Sequence, residues 1–312
     1  MKILVTGGMG YIGSKIISRL ERDNHEITIL DNFSTNIIKQ TKDKEVLRAD
    51  IADFESLKVL KRRGIDTVLH LAAQSSGAVS FKNPEQDLRV NILGTLNMIR
   101  LCELWEIPRI LFASSFTVYG DNADHEILSE DLPCDPKSLY GIGKLTGELY
   151  LKVYAEKLGI KWNALRMFNV YGPGQDLSRK DQGMVSIFLS YIKEGNYVPV
   201  QGSLDRFRDH VYIDDVVEAW VACIKNNDFS NQIFNVGSGK KTTIKELIDK
   251  IIGIYNKEVI VETTGYTPGD MMGCYADISK ITRDLGYSPI YDLDSGLLAF
   301  KQWADEEGAN KK

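Results

Sequence analysis

Met1-Lys2-Ile3-Leu4-Val5-Thr6-Gly7-Gly8-Met9-Gly10-Tyr11-Ile12-Gly13 opens the chain and decides its fold. Lys2 to Thr6 is a short apolar, β-branched run; glycines follow at once, and a helical pattern then continues to about Leu20. The order is strand, glycine turn, helix. Glycine is required because the turn needs backbone angles that side chains forbid, and because a pyrophosphate must approach main-chain N–H groups at a helix N-terminus. Gly13 lets helix and strand pack closely. The glycines register as G-x-G-x-x-G from Gly8 or as G-x-x-G-x-x-G from Gly7, and the bare pattern also fits an ordinary strand-turn-helix. Context narrows it: a second strand, Ile27 to Leu30, ends on Asp31, at about the 20-residue spacing of a dinucleotide fingerprint. A carboxylate there can accept hydrogen bonds from both ribose hydroxyls and repels a 2′-phosphate. The stretch therefore reads as the adenosine half of a dinucleotide site and favours NAD over NADP, with no compensating arginine in Asn32-Phe33-Ser34.

Downstream the strand-helix alternation continues. Strands are expected at Glu45 to Ala49, Thr67 to Leu71, Arg109 to Ala113 and Trp162 to Met167, with a helix from Phe54 to Arg63 and a long one from about Pro84 to Trp105. Such alternation implies an α/β fold, a Rossmann-type doubly wound parallel sheet with ligands gathering at the carboxyl ends of its strands. Asp50, Ala72-Ala73-Gln74, Ser114-Ser115 and Phe168-Asn169 fall at those ends. From about Tyr171 the alternation breaks. A helix from Met184 to Glu194 and a short strand from Tyr197 to Gln201 lie outside it, and the chain returns for the helix Ile213 to Lys225 and a last strand, Gln232 to Val236. The expected organisation is a dinucleotide-binding domain over 1–170, to which 207–236 return, and a smaller, discontinuous substrate-binding lobe in 171–312.

Bulk composition excludes several classes. A 312-residue chain with 43% hydrophobic and 26% charged residues is an ordinary globular protein, and its net charge of −5 offers no broad basic surface for nucleic acid. Cys102, Cys134, Cys223 and Cys274 are far apart and read as isolated thiols of a reducing compartment. No run approaches the 18 or so apolar residues of a membrane span, and the opening run is too short for a signal peptide. A cytoplasmic protein without membrane or nucleic-acid partners is expected. His25, His125 and His210 are not grouped for metal binding, and His70, before Leu71-Ala72-Ala73, reads as a packed residue.

Tyr140 and Lys144 sit four apart in a segment, Ser138 to Lys157, that reads as a helix with Ser138 as N-cap. An ammonium beside a tyrosine, with an oxidised nicotinamide near, would lower the phenol from about 10 and yield a general base. Tyr11 and Lys15 share the spacing, so the pair alone proves little. Ser115, at the end of the fifth strand, distinguishes Tyr140 because its hydroxyl could share a substrate oxygen with the phenol.

These residues together carry a resemblance. Thr6-Gly7-Gly8-Met9-Gly10-Tyr11-Ile12-Gly13, His70-Leu71-Ala72-Ala73, Ser114-Ser115-Phe116-Thr117-Val118-Tyr119-Gly120, Tyr140-Gly141-Ile142-Gly143-Lys144, Leu165-Arg166-Met167-Phe168-Asn169 and Arg208-Asp209-His210-Val211-Tyr212 occur in the order of the extended short-chain dehydrogenase/reductases. The chain is most similar to their UDP-glucose 4-epimerase branch. The resemblance implies Tyr140 as base on a sugar hydroxyl, Ser115 as its hydrogen-bonding partner and Lys144 as holder of the nicotinamide ribose. It implies cofactor contacts from Gly7, Gly10, Tyr11, Ile12, Gly13, Asp31, Asn32, Asp50, Ile51, Leu71, Ala72, Ala73, Asn91, Tyr140 and Lys144. Ser115, Asn169, Arg208, Asp270 and Cys274 would meet the nucleotide sugar, Cys274 beside the sugar's 2-substituent, where a small residue leaves room for an N-acetyl group. Where relatives usually carry an arginine for the diphosphate, this chain has Thr267, and Arg206, Arg179 and Lys180 are the candidates to replace it. Helices at about 85–105 and 139–158 would form the four-helix bundle of a homodimer.

Dehydratases of this group resemble Thr-Asp-Glu before their Val-Tyr-Gly; Ser115-Phe116-Thr117 has no acid to expel water. The implied activity is that of an NAD-dependent nucleotide-sugar 4-epimerase working through a transient 4-keto sugar, with NAD retained and no metal. The rival readings are a 4-ketoreductase or an epimerase at another carbon, and, in another class, a non-catalytic dinucleotide sensor.

Overall fold

The computed structural model describes residues 1–35, 45–60, 64–121, 125–265 and 272–309. Its centre is a seven-stranded parallel sheet of β1 (Lys2–Thr6), β2 (Glu26–Asp31), β3 (Val46–Arg48), β4 (Thr67–His70), β5 (Arg109–Ser115), β6 (Lys161–Met167) and β7 (Gln232–Val236). Their order across the sheet is β3-β2-β1-β4-β5-β6-β7. It reverses between β1 and β4, where Thr6 stands beside His70, and a doubly wound sheet opens its ligand crevice at such a reversal.

Both faces of the sheet are covered, as its sequence dictates. Along β1, Ile3 and Val5 enter one core with Ile16, Ile17 and Trp220, whereas Leu4 enters the other with Met98, Leu101 and Leu151. β5 divides likewise, with Leu111 and Ala113 on the first face and Ile110 and Phe112 on the second. This period of two, with apolar residues in both phases, is what a strand buried on both sides requires. α1 (Tyr11–Arg22) and α2 (Ile213–Lys225) pack on the first face, and the helices Gly94–Trp105 and Leu139–Tyr150 on the second.

Several expected boundaries shift. The helix from Phe54 ends at Lys58, and β5 takes in Ser114 and Ser115 instead of stopping at Ala113. The long helix expected from Pro84 is broken by a π-helical stretch, Leu88–Leu93, and the Tyr140 helix passes into another, Leu151–Ala155. Outside the main sheet, Thr242–Thr243, Phe207–Arg208, Gly273–Ala276 and Ile127–Leu128 form a four-stranded sheet, while Tyr197–Gln201 pairs with Ile260–Thr264 and Asn169–Tyr171 with His210–Tyr212. Ile127–Leu128 thus crosses the boundary expected near 170.

Candidate functional site

The glycine turn is tight enough to exclude side chains. Gly7 has φ +69°, and a Cβ there would lie 2.7 Å from the Ala72 nitrogen; at Gly13 a Cβ would come within 2.4 Å of the Gly7 carbonyl oxygen. No side chain caps α1 at Gly10, so its first N–H groups remain available to an anion. Asp31 accepts hydrogen bonds from the Met9 and Phe33 N–H groups at 3.0 and 2.8 Å, tying the turn to the tip of β2. Next to it, Asn32 donates to Asp50 at 3.2 Å, and the Ala52 N–H donates to the other Asp50 oxygen at 2.8 Å. Ile51 is buried, and its carbonyl accepts from Asn97 at 2.9 Å. Leu71, Ala72 and Ala73 leave β4 beside the turn, with the Ala72 N–H on Thr6 Oγ1 at 3.1 Å. An uncapped helix end, a cradle that a Cβ would fill and a carboxylate one strand away fit a dinucleotide with free ribose hydroxyls.

Tyr140 lies in the first turn of the helix Leu139–Tyr150, which Ser138 caps through the Gly141 N–H at 3.0 Å. The Tyr140 phenol lies close enough to the Ser115 hydroxyl for the two to interact. Ser115 Oγ also accepts from Thr117 Oγ1 at 3.0 Å. Lys144 is buried, its Nζ 5.7 Å from the Tyr140 ring centre and 4.9 Å from that of Phe112. Glycines bring the helix this close: a Cβ at Gly143 would lie 2.9 Å from Asn91 Cβ, and one at Gly147 2.6 Å from the Phe112 ring.

Burial dominates the electrostatics of the protein's own groups at this site. Burial pushes the Tyr140 phenol up to about 12; the interaction with Ser115 opposes the rise and the charge of Asp87 adds to it. Lys144 is lowered to about 8, again by burial, against the charges of Asp87 and Glu148. The protein's own groups therefore do not make a phenolate near neutrality, because burial outweighs them and Lys144 faces two carboxylates.

Asp87 escapes a reading of the sequence. It is 2% exposed and accepts from Gln74 Nε2 and Asn91 Nδ2 at 2.7 and 2.9 Å, while Asn91 also donates to the Gln74 carbonyl at 3.0 Å. Burial raises its carboxyl. The four-residue spacing of Asp87 and Asn91 was the available signal, a polar pair on one helix face. Beneath Ser115 and Tyr140, Arg166 pairs with Glu148 through two hydrogen bonds of 2.9 and 2.7 Å, and Ser114 donates to Glu148 at 2.5 Å. Charge and strand end are locked together there. His70 has Thr6 and Thr95 hydroxyls on its two nitrogens and is lowered to about 3 by burial, a packed neutral residue. Tyr11 donates to the Gly172 carbonyl at 3.1 Å, so its hydroxyl is used in joining the glycine turn to the chain beyond β6.

On the other side of the crevice, Asn169 donates to the Asp209 carbonyl at 3.0 Å. The buried Asp209 carboxylate accepts the Ser238, Gly239 and Ala276 N–H groups and the Ser238 hydroxyl, at 2.6 to 3.1 Å. Arg208 is buried, donates to the Phe207 carbonyl at 2.7 Å and stands opposite Cys274 in the neighbouring strand. Cys274 is buried with Val118, Tyr119, Leu128, Phe168 and Ala276. Of the candidates to replace the missing arginine, Arg179 pairs with Asp181, Lys180 with Glu194, and Arg206 donates to the Ser203 and Gln201 carbonyls. Thr267 and Asp270 lie outside the described residues.

Comparison with known proteins gives consistent matches along the chain. The model of the NAD dependent epimerase/dehydratase family matches residues 3–237. A protein of Methanocaldococcus jannaschii named putative UDP-glucose 4-epimerase is 35% identical over 96% of this chain and 97% of its own. Among solved structures, a UDP-glucose 4-epimerase from Thermotoga maritima with UDP-glucose is 30% identical with a TM-score of 0.93, covering 98% of this chain and 99% of its own. A UDP-glucuronic acid 4-epimerase from Bacillus cereus, with UDP-glucuronic acid and NAD, is 29% identical with a TM-score of 0.89, over 98% and 100%.

Proposed function

This chain belongs to the NAD dependent epimerase/dehydratase family, and from that premise we propose that it is an NAD-dependent nucleotide-sugar 4-epimerase. The observation that carries the reading is the grouping of Tyr140 with Ser115 at the carboxyl end of β5 and with Lys144 one helical turn away, its Nζ 5.7 Å from the Tyr140 ring centre. Gly7, Gly10 and Gly13 would seat the pyrophosphate, Asp31 the adenosine ribose, Asp50 and Ile51 the adenine, and Lys144 the nicotinamide ribose. Bound there, NAD supplies reversible oxidation of the sugar at C4.

The chain's own residues do the rest. Tyr140 takes the proton of the C4 hydroxyl and returns it, and Ser115 holds the same oxygen through both halves of the cycle. Lys144 stabilises the phenolate that forms. Burial raises the phenol to about 12, and the positive charge of an oxidised nicotinamide beside it would act with Lys144 to bring it down. Asn169 and Arg208 anchor the diphosphate and keep the 4-keto sugar from leaving while it turns. No acid follows Ser115 to drive elimination.

A homodimer is proposed with it. Leu88, Leu104, Ile142, Leu149 and Val153 are exposed apolar residues on two long helices that pack side by side. Ile142, Leu149 and Val153 share one helix face by spacing. A reducing, cytoplasmic setting accords with the four free cysteines; among the described residues no helix is long and apolar enough to cross a membrane.

The test is a screen of UDP-, GDP-, CDP- and dTDP-sugars for interconversion without added cofactor, together with mass spectrometry of the nucleotide released on denaturation. Interconversion with retained NAD is expected. Stoichiometric consumption of added NADH would make the enzyme a ketoreductase, and mainly NADP in the released fraction would refute the role of Asp31.

A further inference from the structure

The chain that follows Tyr171 is fastened to both walls of the crevice where the sheet order reverses. At one wall the Tyr11 hydroxyl of α1 donates to the Gly172 carbonyl at 3.1 Å. Gly174, with φ +97°, lies so near α1 that a Cβ there would come within 3.2 Å of Lys15 Cε. At the other wall, in the loop that leaves β4, Gln182 Nε2 donates to the Ser75 carbonyl and hydroxyl oxygens at 2.9 and 2.8 Å. The Ser76 hydroxyl donates to the Asp181 carbonyl at 3.4 Å. β1, which feeds α1, and β4 are the neighbours between which the order reverses. Residues 172–182 therefore bridge the mouth of the ligand crevice.

The bridge rides on the second lobe. The Ser190 hydroxyl donates to the Leu177 carbonyl at 3.1 Å, Lys180 pairs with Glu194, and Gly183, with φ +86°, leads directly into the helix Met184–Glu194 that carries both partners. Its catch belongs to the sheet domain. Gln74 Oε1 accepts the Ser76 N–H at 2.6 Å, and Gln74 Nε2 donates to the Ser76 carbonyl at 2.8 Å and to Asp87 at 2.7 Å. The buried Asp87 thus fixes, through Gln74, the loop onto which the bridge fastens. The Gln182 contact itself lies at the surface, where Ser75 is exposed, and hydrogen bonds of that kind open at small cost.

We propose that residues 172–182 form a clasp over the NAD site and that opening of the Gln182–Ser75 contact limits exchange of bound NAD with solution. This rests on the NAD site assigned above. A dinucleotide with its pyrophosphate at Gly7 to Gly13 and its nicotinamide ribose at Lys144 runs from the start of α1 past Ala72 and Ala73. The clasp spans that interval, so the way out through the crevice mouth is crossed by it. Because the clasp hangs from the second lobe and its catch from the first, exchange requires the lobes to part there.

The experiment dilutes the NAD-loaded enzyme into excess NAD labelled with heavy isotope and follows exchange by mass spectrometry of the released nucleotide. Gln182→Ala removes both contacts of the amide and is expected to exchange at least about fivefold faster than wild type. Ser75→Ala removes only the hydroxyl acceptor and is expected to speed exchange by about twofold. The double variant should exchange no faster than Gln182→Ala, because the serine hydroxyl then has no amide left to receive. Lys245→Ala, an exposed change on the helix Ile244–Tyr255, should keep the wild-type rate. Exchange by Gln182→Ala within about twofold of wild type, or a double variant in which the two effects add in full, would overturn the proposal. Where Gln182→Ala also lowers the unfolding temperature, Gln182→Glu decides: it keeps the side chain's length, sets a carboxylate against the Ser75 carbonyl, and carries the same expectation. A protein that exchanges NAD as expected but epimerises no sugar refutes the epimerase reading and supports the clasp. One that binds no NAD refutes both.

Discussion

Tyr140 keeps its proton well past neutrality in the protein alone, so its hydroxyl matters only when the reaction calls on it. Tyr140→Phe preserves the ring, and turnover is expected to fall by about 10²–10⁴-fold with retained NAD unchanged, measured by steady-state kinetics and by absorbance of the released nucleotide. His210 makes the opposite case. It is 5% exposed, and neither ring nitrogen has a hydrogen-bond partner. Burial lowers it to about 3, against 6.5 for a free imidazole. A lowered histidine contributes stability that is present above about pH 6.5 and is lost as pH falls toward 3, because the unfolded chain takes up the proton first. His210→Phe is expected to add about 1–3 kcal/mol at neutral pH by removing two unpaired polar atoms. It should also flatten the pH dependence of unfolding below pH 6.5 by about 1.4 kcal/mol per pH unit, as urea titrations from pH 5 to 7 would show. Cys274, buried against Arg208's strand, tests whether this position gates the 2-substituent. Cys274→Tyr is expected to suppress N-acetylhexosamine turnover at least tenfold more than plain hexose turnover, and equal losses would make Cys274 a packing residue only. Tyr140, Lys144 and Ser115 could be read from the sequence because their types and spacings carry the chemistry. The burial of Asp87 could not, since one acid in a polar helical stretch looks solvated until the fold buries it at 2% exposure.

At the scale of elements, the turn between β1 and α1 was legible because every constraint on it is local. Gly13→Ala would put a methyl 2.4 Å from a backbone oxygen. With no flexible neighbour to yield, it is expected to cost about 1–3 kcal/mol and to abolish NAD retention, read by thermal unfolding and released nucleotide. Gly253, inside the helix Ile244–Tyr255, meets nothing within 4 Å, and Gly253→Ala is expected to stabilise by about 0.5–1 kcal/mol. The two substitutions are chemically identical and differ only in what stands where the methyl arrives. The π-helical stretch Leu88–Leu93 was not legible, because one inserted residue leaves the apolar spacing nearly intact. It nevertheless holds Asn91, whose amide reaches Asp87, and irregular turns of this kind recur where a helix must aim a polar group inward. The four-stranded sheet of two- and four-residue strands was equally hidden, for a two-residue run such as Phe207–Arg208 shows no periodicity.

For the whole molecule, the helix that carries Tyr140 and Lys144 on its inner side presents Leu149 and Val153 outward, 52% and 69% exposed. Beside it the neighbouring helical stretch shows Leu88 at 54% exposure and Leu104 at 50%. So large an apolar surface on two adjacent helices is what a second copy would cover, and the symmetric contact is a pair of helices meeting its own image. In the proposed dimer, catalysis and assembly would be coupled through one helical segment, because the α-helix that positions Lys144 runs on into the π-helical stretch that holds Val153. The double variant Leu149→Glu, Val153→Glu puts two charges on that face and leaves the glycine turn and Asp31 untouched. It is expected to sediment as a 35.1 kDa monomer, to keep its NAD, and to unfold at a temperature lower by several degrees. Its kcat should fall more than its KM rises, since Asn169 and Arg208, the proposed nucleotide contacts, lie on other elements. Sedimentation velocity together with kinetics decides the matter. A wild type that is already monomeric, or a variant that dimerises as before, would show that this face serves something other than self-association.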